Sequence, residues 1–317
     1  MKPANSESSR PAPLWLVVAA FVAIYLIWGS TYLGIRYAVE SIPPFFMAAT
    51  RHLVAGVILF TLARWQGAPL PSAIEWRDAT LIGCLLLVVG NGGVTWAEQT
   101  IPSGIAALLV ALMPVWMVLC DWWRPGGQRP RALVGAGLVL GLGGVVALVR
   151  RQMGGSTPGY SWGVLVLLAA SFCWAVGSVF SRTAHKPASP FLGVSLQMLT
   201  GGAIMLGIAG VRGEFRQFSP SQVSAVSFWA WAYLTVAGSL VAYTAYVWLI
   251  HVSTPAKVAT CAYVNPLIAV LLGCTIGHEA FTHDIFLAGA LIIAAVVLVL
   301  RGGNSKSTPA PPTEDVA

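Results

Sequence analysis

The chain has 317 residues, of which 57% are hydrophobic and 9% charged, with a formal net charge of +7 and a mean hydropathy of +0.76. Soluble domains carry about 25% charged residues. Charges this sparse cannot cover so much apolar surface against water, which excludes a soluble globular protein and makes lipid the solvent. Nucleic acid is excluded as a partner as well. The basic residues fall in short connections between apolar runs, where membrane topology accounts for them.

Residues 1–13 are polar and read as a cytoplasmic tail. The first apolar run starts at Leu14 and lacks a small-residue cleavage site behind a short core, so it reads as a retained span and not a signal peptide. A span needs roughly 20 apolar residues. Runs of that kind cover residues 14–38, 44–63, 78–97, 102–123, 132–149, 161–181, 189–210, 225–250, 255–276 and 284–300. Backbone groups in lipid must be satisfied within their own segment, so these runs are helices. Pro43, Pro44, Pro102, Pro130, Pro190 and Pro255 stand at or near helix starts, where a missing N–H costs little. The last stretch, 302–317, is low in complexity and reads as a disordered cytoplasmic tail. Cys84, Cys120, Cys173, Cys261 and Cys274 lie singly in apolar runs and read as small buried hydrophobes.

With a cytoplasmic N-terminus, twelve Lys and Arg fall in cytoplasmic segments and four (Arg150, Arg151, Arg212, Arg216) in outer ones. Both termini are therefore expected in the cytoplasm. The chain also repeats itself. Trp28, Arg36 and Ala38 recur 146 residues later as Trp174, Arg182 and Ala184, and Leu53, Gly56 and Ala63 recur as Leu199, Gly202 and Ala209. Further along the offset becomes 152, where Ala107, Pro114, Val118 and Gly137 meet Ala259, Pro266, Val270 and Gly289. Five helices reverse the direction of the chain, so the second half must be inverted relative to the first. The fold class expected is an all-α integral membrane protein of ten transmembrane helices in two inverted five-helix repeats, residues 14–150 and 160–301. Such halves can rock about a shared site.

Several segments resemble the EamA-like branch of the drug/metabolite transporter superfamily. They are IYLIWGSTYLGIRYAVESIPPFFMAATRHLVAG, GNGGVTWAEQTIPSGIAALLVALMP and AYVNPLIAVLLGCTIGHEAF, and the resemblance covers residues 14–301. It implies ten helices, a central cavity, export of small metabolites and placement in the bacterial inner membrane. One departure concerns the Gly-Glu pair that such proteins usually carry after helices 4 and 9. Gly277-His278-Glu279 follows helix 9, whereas helix 4 runs into Cys120-Asp121-Trp122-Trp123-Arg124.

Trp28 lies 14 residues into helix 1, about 21 Å along its axis. Trp174 lies equally deep in helix 6, which runs the other way, and the two are placed to cap a cavity from opposite sides. Asn91 stands deep in helix 3 among Gly90, Gly92 and Gly93, which allow close approach. Pro266 frees the carbonyl of Ala262 beside Tyr263 and Asn265, and Pro114 frees that of Val110, so both prolines are hinge candidates. Helices 1, 3, 4, 6, 8 and 9 are expected to line an aromatic, nearly neutral cavity from Trp28, Tyr32, Asn91, Trp96, Trp174, Ser178, Tyr243, Tyr263 and Asn265. Arg51 is buried in helix 2, where a charge needs protein or water. It is expected to join Arg36 in an ion-pair cluster with Glu98 or Glu40 at the outer end. Arg51 and Glu98 break the repeat, because their counterparts are Gln197 and Ile250. Glycines from Gly135 to Gly144 mark helix 5 for close packing.

No Walker sequence, HExxH motif or metal-ligand spacing of the five His is present, and the spans hold almost no acids. A membrane-embedded enzyme is thus the weaker alternative, and no cofactor or metal is implied. The reading is a secondary transporter exporting small metabolites, amino acids or drugs by alternating access. The alternative within the same superfamily is a nucleotide-sugar or organophosphate exchanger, which would need cations deep in its cavity. The partners implied are a small solute, the bilayer and, as coupling ion, protons; the chain acts as a monomer or a homodimer.

Overall fold

A computed structural model of the chain describes residues 13–123, 132–152, 159–253, 258, 260–280 and 282–303. Among them there is helix and no strand. The helices are α1 (Leu14–Ala38), α2 (Pro44–Trp65), α3 (Ala73–Ala97), α4 in two pieces (Ser103–Val110 and Met113–Trp123), α5 (Ala132–Gln152), α6 (Tyr160–Phe180) and α7 (Pro190–Val211). After a short turn at Glu214–Gln217 come α8 (three consecutive stretches, Ala225–Tyr233, Leu234–Ala242 and Tyr243–Val252), α9 (Cys261–Thr275) and α10 (His283–Gly303).

Of the described residues, seven helices are long and apolar enough to cross a bilayer, and three more apolar helices are shorter: Ala132–Ala147, Val264–Thr275 and Ile285–Val299. The ten runs expected to be of span length thus divide into these two groups. One reason is local, since the expected start of α9 at Pro255 lies outside the described residues. So do nearly all of the two expected tails.

Helix starts coincide with caps that satisfy orphan N–H groups. Ser72 Oγ accepts the Glu75 N–H while Glu75 Oε2 accepts the Ser72 N–H at 2.6 Å, a capping box at α3. Ser189 and Ser224 cap α7 and α8 through the N–H groups of Leu192 and Ser227. Pro44 and Pro190 occupy first-turn positions where no donor is lost. Glu214 Oε2 takes the Phe46 N–H at the start of α2, at 2.8 Å.

Burial runs opposite to that of a soluble protein. Val139, Leu142 and Val146 form an outward stripe on α5 with exposures of 72%, 59% and 47%. Arg51, His52, Glu98 and Asn265 are buried. Lipid accepts the first group at no cost, and the second needs partners inside.

Small residues bring the helices together. A Cβ on Gly137 would lie 2.9 Å from the Ala295 carbonyl oxygen, and one on Gly144 would lie 2.7 Å from Ile292 Cγ1, so α5 and α10 approach to backbone contact. Between α2 and α7 the contact is reciprocal. Leu199 fills the space over Gly56 at 3.0 Å, and Leu53 fills that over Gly202 at 2.9 Å. These are the residues related by the 146-residue offset.

Two helices depart from α geometry. α3 is π-helical over Cys84–Asn91 and α8 over Leu234–Ala242, so each carries a wider turn near its middle. α4 is interrupted at Ala111–Leu112, just before Pro114. The break leaves the Val110 carbonyl to accept the Ser171 hydroxyl at 3.2 Å.

Candidate functional site

A cavity of about 120 Å³ lies among the helices. α1 contributes Trp28, Thr31, Tyr32 and Ile35; α2 contributes Arg51; α3 contributes Gly90, Asn91 and Val94. The far side comes from Val110, Ala111 and Met113 of α4, Ala170 and Trp174 of α6, Gly238 and Tyr246 of α8, and Cys261, Ala262, Asn265 and Pro266 of α9. All six helices expected at the site take part, and α2 joins them through Arg51. Glycines allow the close approaches here: a Cβ on Gly90, which lines the cavity, would stand 2.9 Å from Trp174 Cε3, and one on Gly29, where α1 packs on α9, would stand 2.7 Å from Ile268 Cβ.

The aromatic rings form one partition. Trp28 meets Trp174 edge to face with centroids 6.3 Å apart, and Tyr246 and Tyr243 at 4.9 Å and 6.4 Å. The two tryptophans therefore do not cap the cavity from opposite sides; they meet each other and line the same cavity. Beyond the partition lies a second cavity of about 150 Å³, lined by Ser178, Ser181, Arg182, Lys186, Gln197 and Tyr243 among others. Met113, Tyr246 and Cys261 line both cavities.

Polar pairs occupy equivalent positions on the two sides. Arg51 Nη2 donates to Asn91 Oδ1 at 2.7 Å in the first cavity. The residues 146 and 152 positions further on are Gln197 and Tyr243, and there the Tyr243 hydroxyl donates to Gln197 Oε1 at 2.6 Å. The same two places thus make a charged pair in one half and a neutral pair in the other.

Both ends of the bundle are fastened. At the Arg36 end the chain turns through His278, whose φ of 50° is left-handed, and delivers the Glu279 carboxylate to the start of α4. Oε1 accepts the Ser103 N–H at 2.8 Å, the Ser103 hydroxyl at 2.7 Å and Arg36 Nη1 at 2.7 Å, while Oε2 accepts the Gly104 N–H at 3.1 Å. An anion at a helix N-terminus satisfies orphan donors and the helix dipole together. Gly273 is required here, since a Cβ on it would lie 2.6 Å from Glu279 Oε2. The expected partner of Arg36, Glu98 or Glu40, is thus replaced by Glu279. Glu98 is buried, with neither carboxylate oxygen hydrogen-bonded, and Glu40 is exposed. At the opposite end Asp78 accepts the His185 N–H at 2.8 Å and Arg77 Nη2 at 2.7 Å, tying the α6–α7 connection to α3.

Of the residues singled out in the sequence, Trp28, Tyr32, Asn91, Trp174 and Asn265 line the first cavity, and Ser178 and Tyr243 the second. Trp96 lines neither and packs into the apolar core. The side chain of Tyr263 lies outside the described residues, as does that of Asp121. Tyr246 is a lining residue beyond those expected, and its spacing of three from Tyr243, which puts both on one helix face, is the signal for it. The pentapeptide Gly159-Tyr160-Ser161-Trp162-Gly163 has the letters of a serine-hydrolase elbow. Here it opens a helix, with Ser161 exposed and no strand among the described residues, so the structural context for a nucleophile is missing.

The model of the EamA-like transporter family matches residues 14–150 and again 161–301. The chain is 41% identical over 284 residues to the inner membrane transporter YedA of Escherichia coli, spanning 89% of this chain and 90% of that one. It is 23% identical to the transporter YoaV of Bacillus subtilis, over 89% and 96% of the two chains. It is 24% identical to a WAT1-related chloroplastic protein of Arabidopsis thaliana, over 90% and 69%. A crystal structure with a TM-score of 0.61 and 21% identity, covering 90% of this chain and 97% of that one, shares the fold.

Proposed function

The chain belongs to the EamA-like transporter family, and from that premise we propose that it is a secondary transporter exporting small metabolites, amino acids or drugs from the cytoplasm by alternating access. In this reading ten spans form two inverted five-helix repeats, 14–150 and 160–301, in the inner membrane, with both termini cytoplasmic. The Arg36 end is then outer and the Arg182 end cytoplasmic.

The observation that carries the reading is a pair of cavities that share Met113, Tyr246 and Cys261 as lining, with Trp28 and Trp174, one ring from each half of the chain, meeting at the first. A solute entering past Arg182 and Lys186 meets the partition and passes it when the halves rock, with Pro114 and Pro266 as hinges. The helix interruption at Ala111–Leu112 and the proline within α9 supply the needed backbone freedom. The rings favour solutes with a flat or apolar body. If an ion gradient drives transport, protons are the candidate coupling ion and the buried Glu98 their candidate carrier.

Inverted vesicles carrying the protein should accumulate at least one member of a panel of labelled amino acids, aromatic acids and dyes, faster than vesicles without it. An uncoupler should reduce that accumulation. Failure of every member to accumulate or to exchange would refute the transporter assignment. A phosphorylated sugar accumulating in preference to all of these would favour the organophosphate exchanger, although the first cavity offers a single cation to a phosphate dianion.

A further inference from the structure

Arg51 is the one charged side chain among the described residues that line the first cavity. It is only 4% exposed. Nη2 is committed to Asn91, but Nε and Nη1 have no hydrogen-bond partner. Asn265, also lining the cavity and 9% exposed, has an amide oxygen without a partner. Buried donors and acceptors in proteins are ordinarily satisfied, and a guanidinium away from water needs an anion or several acceptors. These two polar side chains with unmatched atoms line one cavity that is otherwise largely apolar and partly aromatic, which suits a ligand with an anionic head and an apolar body.

We propose that Arg51 is the anchor for a carboxylate on the transported solute, with Asn91 fixing the guanidinium and Asn265 meeting a polar group beside that carboxylate. This rests on the reading of the cavity as the transport site and narrows the substrate to organic acids and zwitterions with an apolar body. Cationic amphiphiles are excluded, since Arg51 repels them and no acid lines the wall. The second cavity supplies an internal comparison. At the equivalent places Gln197 and Tyr243 satisfy each other and carry no charge. A buried cation at this place therefore exists in the first cavity only; the cations that line the second, Arg182 and Lys186, are exposed.

Glu98 is the competing counterion. It lies within electrostatic range of Arg51, but among the described residues it makes no ion pair within 4.0 Å and does not line the cavity. It follows Asn91 by seven residues, about 10 Å further along α3. A solute in the cavity meets Arg51 and not Glu98.

Four probes share one ring and differ in head group: phenylalanine, phenylacetate, phenylacetamide and phenethylamine. Binding to the purified full-length protein is read by ligand-induced thermal shift, and uptake is read separately in vesicles. The two acids should bind about 10- to 100-fold more tightly than the amide, as a charge-assisted contact requires, and the amine should bind most weakly. Arg51→Gln should erase the difference between acid and amide, Arg51→Lys should keep part of it, and Glu98→Gln should leave it intact. Equal binding of acid and amide by the unmodified protein, no shift with either acid, or an intact preference in Arg51→Gln overturns the proposal. The comparison on the unmodified protein decides alone if Arg51→Gln fails to insert. Acids that bind by this pattern without being carried leave the anion site standing and count against the transporter reading. Uptake without preference for acids does the reverse.

Discussion

Replacing Glu279 by Gln keeps the volume of the side chain and changes what it can accept. In the native protein Oε1 takes three donors and Oε2 takes the Gly104 N–H. The Gln amide keeps one acceptor oxygen, which suits the three-donor side, and turns an NH₂ toward the Gly104 N–H. That donor loses its partner at about 1 kcal/mol. The pair with Arg36, whose side chain is 35% exposed, contributes about 0.5 kcal/mol after solvent screening. The lost charge at the α4 N-terminus adds about 0.5 kcal/mol. The sum is about 2 kcal/mol against the state in which the Arg36 end is closed, a shift of about 30-fold toward opening. Cys261, which lines both cavities, is a native reporter. In a protein with the other four cysteines replaced, an impermeant maleimide applied from the Arg36 side should label Glu279→Gln much faster than its parent. Equal labelling rates in two well-folded proteins would show that the Glu279 contacts do not hold that end shut.

Three further outcomes are expected. Asn91→Leu and Asn265→Leu should each abolish transport while leaving membrane insertion intact, measured by uptake and by yield in the membrane fraction; normal transport by both would disconnect the cavity from function. Gly90→Ala places a Cβ 2.9 Å from Trp174, at a packing cost of about 1–3 kcal/mol, and should slow transport and lower the melting temperature in detergent. His278→Gly relieves a left-handed φ of 50°, worth about 1 kcal/mol, and should raise the melting temperature without altering uptake; a fall in melting temperature would show that the His side chain carries more than the turn costs.

The sequence was most informative where a single residue contradicts its surroundings. Asn91 among glycines lines the cavity, and Arg51, expected in the outer ion-pair cluster, lines it too, because burying either needs a polar interior. The packing of α5 on α10 was equally plain, since small residues at helical spacing have few other uses in lipid. What stayed hidden depended on distant placement. Glu279 meets Ser103 across 176 residues, and no local pattern tells which carboxylate a turn delivers to which helix start. Trp96 was misplaced for a geometric reason: five residues past Asn91 it points about 140° away round the helix, whereas Val94, three residues past, stays on the cavity side. The partition was half legible. The 146-residue echo marked Trp28 and Trp174, but their meeting face to edge depends on how the two helices cross.

The π-helical stretches of α3 and α8 carry a consequence for motion. Each turn there stores one residue more than the α turn it replaces. Such a surplus behaves as a dislocation: it can pass along the helix one hydrogen bond at a time, without the whole rod being unmade. Every residue it passes turns by about 100° and slides by about 1.5 Å. Gly90 and Asn91 in one stretch and Gly238 in the other already border the first cavity. Passage of the surplus by a single position would remove one of them from the wall and bring in a neighbour. A shift of that kind in α3 or α8 would change the chemistry of the cavity wall by moving only the residues that the surplus passes.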